Sequence, residues 1–306
     1  MQIPFVLLAV TVIIFSLIHL TPGDPVQSML GQDFTPEAAQ ALRARYQLDR
    51  PLLEQYVLWV FRAIQGDLGI SIRQSLPVTD MIAQRFPASL QLASLAMVFA
   101  LLISIPAGII SAVRRNTWVD YLLTGITIGG LSIPNFALAL LLIYAFALKL
   151  HWFPITGIGG GGDRTPWGYF APFVLPALAL GAYQMAAVAR LLRSSMLDVL
   201  NQDYIRTATS KGLAFRSVVV GHALKNALIP VVTVIAIQFG YMVGITITIE
   251  FIFGIPGMGS AMLEAVTTRD FPVVQGFTLF MAVFFIGANI VADVLYTILD
   301  PRISYR

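Results

Sequence analysis

Six apolar stretches, near residues 3–20, 88–112, 119–148, 170–192, 228–249 and 276–299, constrain everything this chain can fold into. Each runs to 18 or more residues, enough to cross ~30 Å of hydrocarbon as an α-helix at about 1.5 Å per residue. Charged residues make up only 11% of the chain, against about a quarter in soluble globular proteins. An all-α integral membrane protein with six transmembrane helices is therefore expected, because a helix satisfies its own backbone in lipid.

No basic residue precedes the first apolar run and no small-x-small site follows it, so it is expected to stay attached as a span. TPGDP, Thr21 to Pro25, is expected to end that helix, since two prolines and a glycine cannot continue it. The chain has no cysteine, which excludes disulfides, thiolate metal sites and a cysteine nucleophile. With both termini cytosolic, Arg114, Arg115, Arg190, Arg193, Arg206, Lys211, Arg216, Lys225, Arg302 and Arg306 fall inside and outnumber Asp120, Asp198, Asp203 and Asp300. Such a basic excess is the usual mark of the cytosolic face.

The chain divides into residues 1–86, a first transmembrane helix with a structured outer loop, and residues 87–306, a five-helix core with a cytosolic loop at 193–228. In the outer loop, Thr35 before Pro36 reads as a cap and first-turn proline. A helix from Pro51 to Gly66 places Leu52, Leu53, Tyr56, Val57, Val60, Phe61 and Ile64 on one face, expected to lie as a lid on the chain's own bundle. The second span is expected to begin at Pro87. Pro106 and the SIPN run Ser132–Asn135 are expected to kink their helices, with Pro134 a candidate for lining a path. Trp152 and Trp167 flank the glycine run 157–162 at interfacial depth. That run lacks the lysine and serine or threonine of a phosphate-binding loop, so no nucleotide site is expected in this chain.

After the fourth span, Arg190 and Arg193 are expected to reach lipid phosphates. A helix from about Ser195 to Lys211 should end at Gly212 in positive φ, and Ser217 should cap a second helix entering the fifth span. Two helices joined by a glycine turn present a knob suited to a cleft on another protein. YIRTATSKGLAF is too apolar for a disordered linker, and so short a helix persists only with tertiary contacts.

Within this loop, D-Y-x-R-T-A-x-x-K-G followed by H-A-L-x-N-A-L-x-P runs through Asp203, Tyr204, Arg206, Thr207, Ala208, Lys211, Gly212, His222, Asn226 and Pro230. The segment resembles the EAA loop of ABC-importer permeases, in the B-type branch of the dipeptide/oligopeptide/nickel subfamily. Of the general EAA pattern it keeps only Ala208, Gly212 and Leu224; the subfamily form is the specific match. Further similarity covers PGDP at 22–25, LDRPLLEQY at 48–56, GDLGIS at 66–71, FGIPGMG at 253–259, RDFPVVQG at 269–276 and VADVLYTILDPRI at 291–303.

The resemblance implies a type I ABC importer permease-like bundle in a bacterial cytoplasmic membrane, moving peptides, glutathione or nickel complexes by alternating access. It implies a homologous C-type permease subunit, two ABC ATPase subunits carrying ATP and Mg, an extracytoplasmic binding protein and surrounding lipid as partners. The residues Asp203 to Asn226 named above would dock the ATPase. The chain itself would hold no cofactor, engage no nucleic acid and be no enzyme.

Polar residues inside spans are functional candidates because they are costly in hydrocarbon. Asn135, Gln184, Gln238 and Glu250 are candidates for a translocation path, with loop capping the other reading of Glu250; Asp293 reads as structural. His19, His151 and His222 show no metal-ligand spacing, and no Ser-His-Asp arrangement is present. An ion-coupled secondary transporter would call for internal repeats and central ionisable residues, which the sequence does not show; a membrane scaffold is the other rival.

Overall fold

A computed structural model describes residues 3–20, 35–37, 39, 40, 43, 49–155 and 165–299. TPGDP, the glycine run 157–162 and residues 300–306 lie outside the described residues. The described chain is helical, with no strand beyond one isolated bridge between Ile70 and Pro77. In order the elements are α1 (Ile3–Leu20), α2 (Leu52–Ile64), α3 (Val78–Val113), α4 (Trp118–Ser132), α5 (Asn135–Lys149) and α6 (Pro166–Leu200). There follow α7 (Asp203–Ser210), α8 (Phe215–Gly244), α9 (Ile247–Phe253), α10 (Met258–Thr267) and α11 (Phe271–Leu299).

Helices α3, α6, α8 and α11 are each long and apolar enough to cross a membrane, and the pairs α4–α5 and α9–α10 add two more if each counts as one span. Several elements depart from the sequence reading. Helix α3 starts at Val78, not Pro87, and carries Pro87 in its interior, as membrane helices tolerate. The third stretch does not merely kink. Pro134 pushes Ile133 into extended backbone (φ −89°, ψ 122°), and α4 and α5 meet at 108°. Helix α10 lies outside all six apolar stretches.

The helices form two compact units, Met1–Ala88 with Pro256–Ile286, and Ser89–Ile255 with Gly287–Arg306. Residues 256–286 fall in the same unit as the N-terminal segment. In that unit Val78, Met81 and Ile82 of α3 pack with Met258, Ala261 and Ala265 of α10 and Val273 and Phe277 of α11. Gly276 permits this, since a Cβ there would lie 2.6 Å from Val78 Cγ1. The loop before α3 hangs on the buried Asp270 carboxylate. Ser71 Oγ donates to it at 2.6 Å, and the amides of Ile72 and Arg73 donate at 3.2 and 3.3 Å.

Helix α2 joins α1 through Tyr56 and Trp59, which surround Phe15, and through a 2.9 Å hydrogen bond between the Thr11 and Tyr56 hydroxyls. Leu53, Val57, Phe61 and Ile64 are exposed. The face of α2 that packs on α1 thus carries Tyr56 and Trp59, and the exposed face is aliphatic apart from Phe61.

The second unit is organised around α6, which packs on α4, α5, α8 and α9. Thr165 caps it by accepting from the Gly168 amide at 3.1 Å, with Pro166 in the first turn. Gly181 brings α6 against α3, for a Cβ there would sit 2.6 Å from the Ala96 carbonyl oxygen. Small residues allow this backbone approach between membrane helices, where packing rather than water expulsion drives association.

Candidate coupling elbow and translocation pocket

Helix α6 ends at Leu200, and the chain turns at Asn201–Gln202 before α7 begins. The single helix expected from Ser195 to Lys211 is thus two helices. Burial sets the break. Ile205 and Ala208, three apart on α7, enter a core with Val188, Leu192 and Met196 of α6 and Val218, Val219, Ala223 and Ala227 of α8. An unbroken α6 could not turn that face back onto itself. Asp203 in the first turn of α7 complements the positive helix end.

Helix α7 stops as expected. The Lys211 amide bonds to Thr207 O at 3.1 Å, the Gly212 amide to Thr209 O at 3.0 Å, and Gly212 takes φ +77°. No atom lies within 4 Å of a Cβ built there, so the requirement for glycine is conformational and not steric. Helix α8 starts after Ala214 rather than at a Ser217 cap. Ser217 already has helical angles (φ −67°, ψ −40°), which a capping residue cannot have. Residues Val218–Ala223 form a π-helical segment, and π turns often lie at functional sites.

The two halves of the loop motif meet here. Asn226 Nδ2 donates to the Tyr204 hydroxyl at 2.8 Å and to His222 O at 3.2 Å. Asp203, Tyr204, Arg206, Thr207, Lys211, Gly212, His222 and Asn226 are exposed, while Ala208 faces the core and anchors α7. The Arg206–Asp203 pair, at 3.6 Å on open surface, contributes little. Phe215, 64% exposed, and Leu213 add apolar surface at the tip of the elbow.

Arg193 does not turn toward lipid. Its Nε and Nη2 donate to the two oxygens of Asp120 at 2.8 and 2.7 Å, a bidentate pair with Asp120 only 2% exposed. Ser111 Oγ and the Asn116 amide also donate to this carboxylate, so α3, α4 and α6 converge on it. Sequence reasoning missed the cluster. The available signal was a lone acidic residue opening an apolar run directly after Arg114 and Arg115.

Further along α6 an open pocket of about 600 Å³ is lined by the α4–α5 break, by Tyr183 and Gln184 of α6, and by Gln238, Tyr241 and Ile245. This volume suits a small organic ligand. Asn135, Gln184, Gln238 and Pro134 are brought together on it, and Gln184 Nε2 donates to Gln238 Oε1 at 3.1 Å. Tyr183 adjoins Gln184, and Tyr241 lies one turn from Gln238 on the same face, the spacing that could have identified them. Glu250 is elsewhere: it is fully buried on α9 and accepts from Ser89 Oγ at 2.6 Å. Among the described residues no three His, Asp or Glu side chains cluster as metal ligands.

Comparison with known proteins gives the context for this geometry. Residues 104–305 match the family model for the binding-protein-dependent transport system inner membrane component, and residues 2–93 match the N-terminal model of such membrane components. The chain is 41% identical to the dipeptide transport system permease protein DppB of Alkalihalophilus pseudofirmus, covering 98% of this chain and 96% of that one. It is 41% identical to the glutathione transport system permease protein GsiC of an Escherichia coli strain, covering 98% and 95%. Among solved structures, the MetNI methionine ABC transporter, inward facing, aligns with a TM-score of 0.57 at 16% identity over 72% of this chain and 96% of that one. An amino acid ABC transporter with histidines aligns with a TM-score of 0.53 at 15% identity over 74% and 95%.

Proposed function

The chain belongs to the family of binding-protein-dependent transport system inner membrane components, and from that premise we propose that its cargo is a di- or oligopeptide or a small relative such as glutathione. It is a membrane-embedded permease of an ABC importer, not an enzyme, and it works with ATPase and permease partners. The ion-coupled transporter and the scaffold give way to this assignment. The observation that carries the peptide reading is similarity along 98% of the chain to permeases named for dipeptide and for glutathione transport.

In this reading the chain pairs with a homologous C-type permease, rests on two ATPase subunits and receives cargo from an extracytoplasmic binding protein. Both termini and the elbow α7–Gly212–α8 lie in the cytosol. The exposed motif residues, with Leu213 and Phe215, enter the ATPase cleft, and Ala208 and Ile205 convert a push on α7 into movement of α6 and α8. Asn135, Gln184 and Gln238 line the path, whereas burial beside Ser89 gives Glu250 a structural role.

The test is ATP-driven uptake of a labelled dipeptide and of glutathione by the complex reconstituted with its own partner subunits and binding protein. Uptake of one of them is expected. A well-assembled complex that hydrolyses ATP with its binding protein yet moves neither would overturn the peptide reading.

A further inference from the structure

Gln184, which lines the pocket on α6, carries a buried polar atom that accepts no hydrogen bond. Gln184 is 2% exposed, its Nε2 is committed to Gln238 Oε1, and its own Oε1 is buried and accepts no hydrogen bond. Leaving such an acceptor unpaired is costly, and an orphan of this kind in a native fold calls for an explanation. Turning both amides over keeps their mutual bond with its direction reversed and puts Gln184 Nε2 in the buried position. Under either assignment one polar atom of Gln184 lies outside the Gln184–Gln238 hydrogen bond.

The surroundings restrict what can satisfy it. Asn135 lies on the same pocket at the head of α5, and the tyrosines 183 and 241 line its wall. No Asp, Glu, Lys, Arg or His lines the pocket. No lining side chain offers a counter-charge, so the charged ends of a ligand are best kept toward the open mouth of the pocket and recognition rests on neutral groups. A group bearing both an N–H and a carbonyl fits, since amide side chains donate and accept together. The secondary amide of a peptide bond is such a group.

We propose that this pocket reads a peptide bond of the cargo, with Gln184 Oε1 accepting the peptide N–H and the amides of Asn135 and Gln238 donating to its carbonyl. The terminal torsion of a glutamine is broad and two-fold, so rotation of the Gln184 amide as cargo enters presents the covered oxygen. Peptide termini and charged side chains find no partner here; selection falls on the main chain and tolerates many sequences. This inference rests on the peptide reading above.

The deciding measurement is the ratio of ATP-driven uptake of Ala-Ala to uptake of its depsipeptide analogue, in which an ester oxygen replaces the amide N–H. It is made with the full reconstituted complex and saturating binding protein. Any preference contributed by the binding protein is common to wild type and variants, so the change in the ratio is the readout. In Gln184→Met the ratio should fall by roughly three- to ten-fold, the worth of one hydrogen bond. Asn135→Ala, at a half-buried position, should slow both compounds and leave the ratio near wild type, because it touches the carbonyl that both share. A wild-type ratio in Gln184→Met, or an Asn135→Ala complex that transports both compounds at the wild-type rate, overturns the inference while leaving peptide import intact. Absence of uptake of either compound by the wild type removes the peptide reading, and this inference with it.

Discussion

Asn226 of α8 reaches across the elbow to the hydroxyl of Tyr204 on α7, with Nδ2 donating at 2.8 Å over 22 positions of sequence. The bond ties a short helix to the long one that follows. A single hydrogen bond of this kind is worth about 1 kcal/mol.

Asn226→Ala and Tyr204→Phe should each loosen α7 and lower coupled uptake several-fold. The double variant should be no worse than either single one, because both remove the same bond. Uptake per ATP hydrolysed, compared across the four proteins, checks this. Additive losses would show that the two side chains act separately.

At Gly212 a side chain meets no atom but must adopt positive φ, which costs a β-branched residue about 1–2 kcal/mol or more. Gly212→Val should disorder the end of α7 and reduce copurification of the ATPase subunits. Gly212→Asn should retain most of it, since asparagine enters the left-handed region readily. Equal behaviour of the two variants would mean that φ is not the constraint.

Asp120 and Arg193 make a largely buried pair, and removing one partner from such a pair typically costs about 3–5 kcal/mol. Asp120→Leu alone should markedly lower the thermal midpoint in detergent. Adding Arg193→Met should recover much of the loss by removing the stranded charge. Failure of the second substitution to recover any stability would place the role of Asp120 in its bonds to Ser111 and Asn116.

The close approach of α6 to α3 is specific to Gly181. Gly181→Val should prevent accumulation of folded protein, because its Cβ would lie 2.6 Å from the backbone oxygen of Ala96. Gly125→Ala on α4, with nothing within 4 Å, should be neutral or stabilising by up to about 1 kcal/mol. Membrane yield and thermal midpoint of both variants give the comparison.

The legible parts of this fold are those fixed by local chemistry. The Lys211–Gly212 pair announces its turn, Leu52–Ile64 its helix, and Pro134 an interruption. Other features depend on what the chain meets. Nothing between Ser195 and Ile205 forbids a helix; burial of Ile205 and Ala208 breaks it. Arg193 looks like an interfacial anchor until Asp120 is placed opposite it. The pocket amides stand out as polar residues in apolar spans, but only packing separates Gln184 and Gln238 from Glu250, which is bound to Ser89.

The hold of Asp270 on Ser71 has a consequence for biogenesis. The two residues lie 199 positions apart. At about 5–20 residues per second, the ribosome delivers the carboxylate roughly 10–40 s after the serine. Through that interval the segment before α3 keeps its local bonds, such as Val78 N–H to Gly69 O, and lacks only the carboxylate that Ser71, Ile72 and Arg73 bond to. A chain stopped before residue 270 would leave the Ser71 hydroxyl and the Ile72 and Arg73 amides without this acceptor for good.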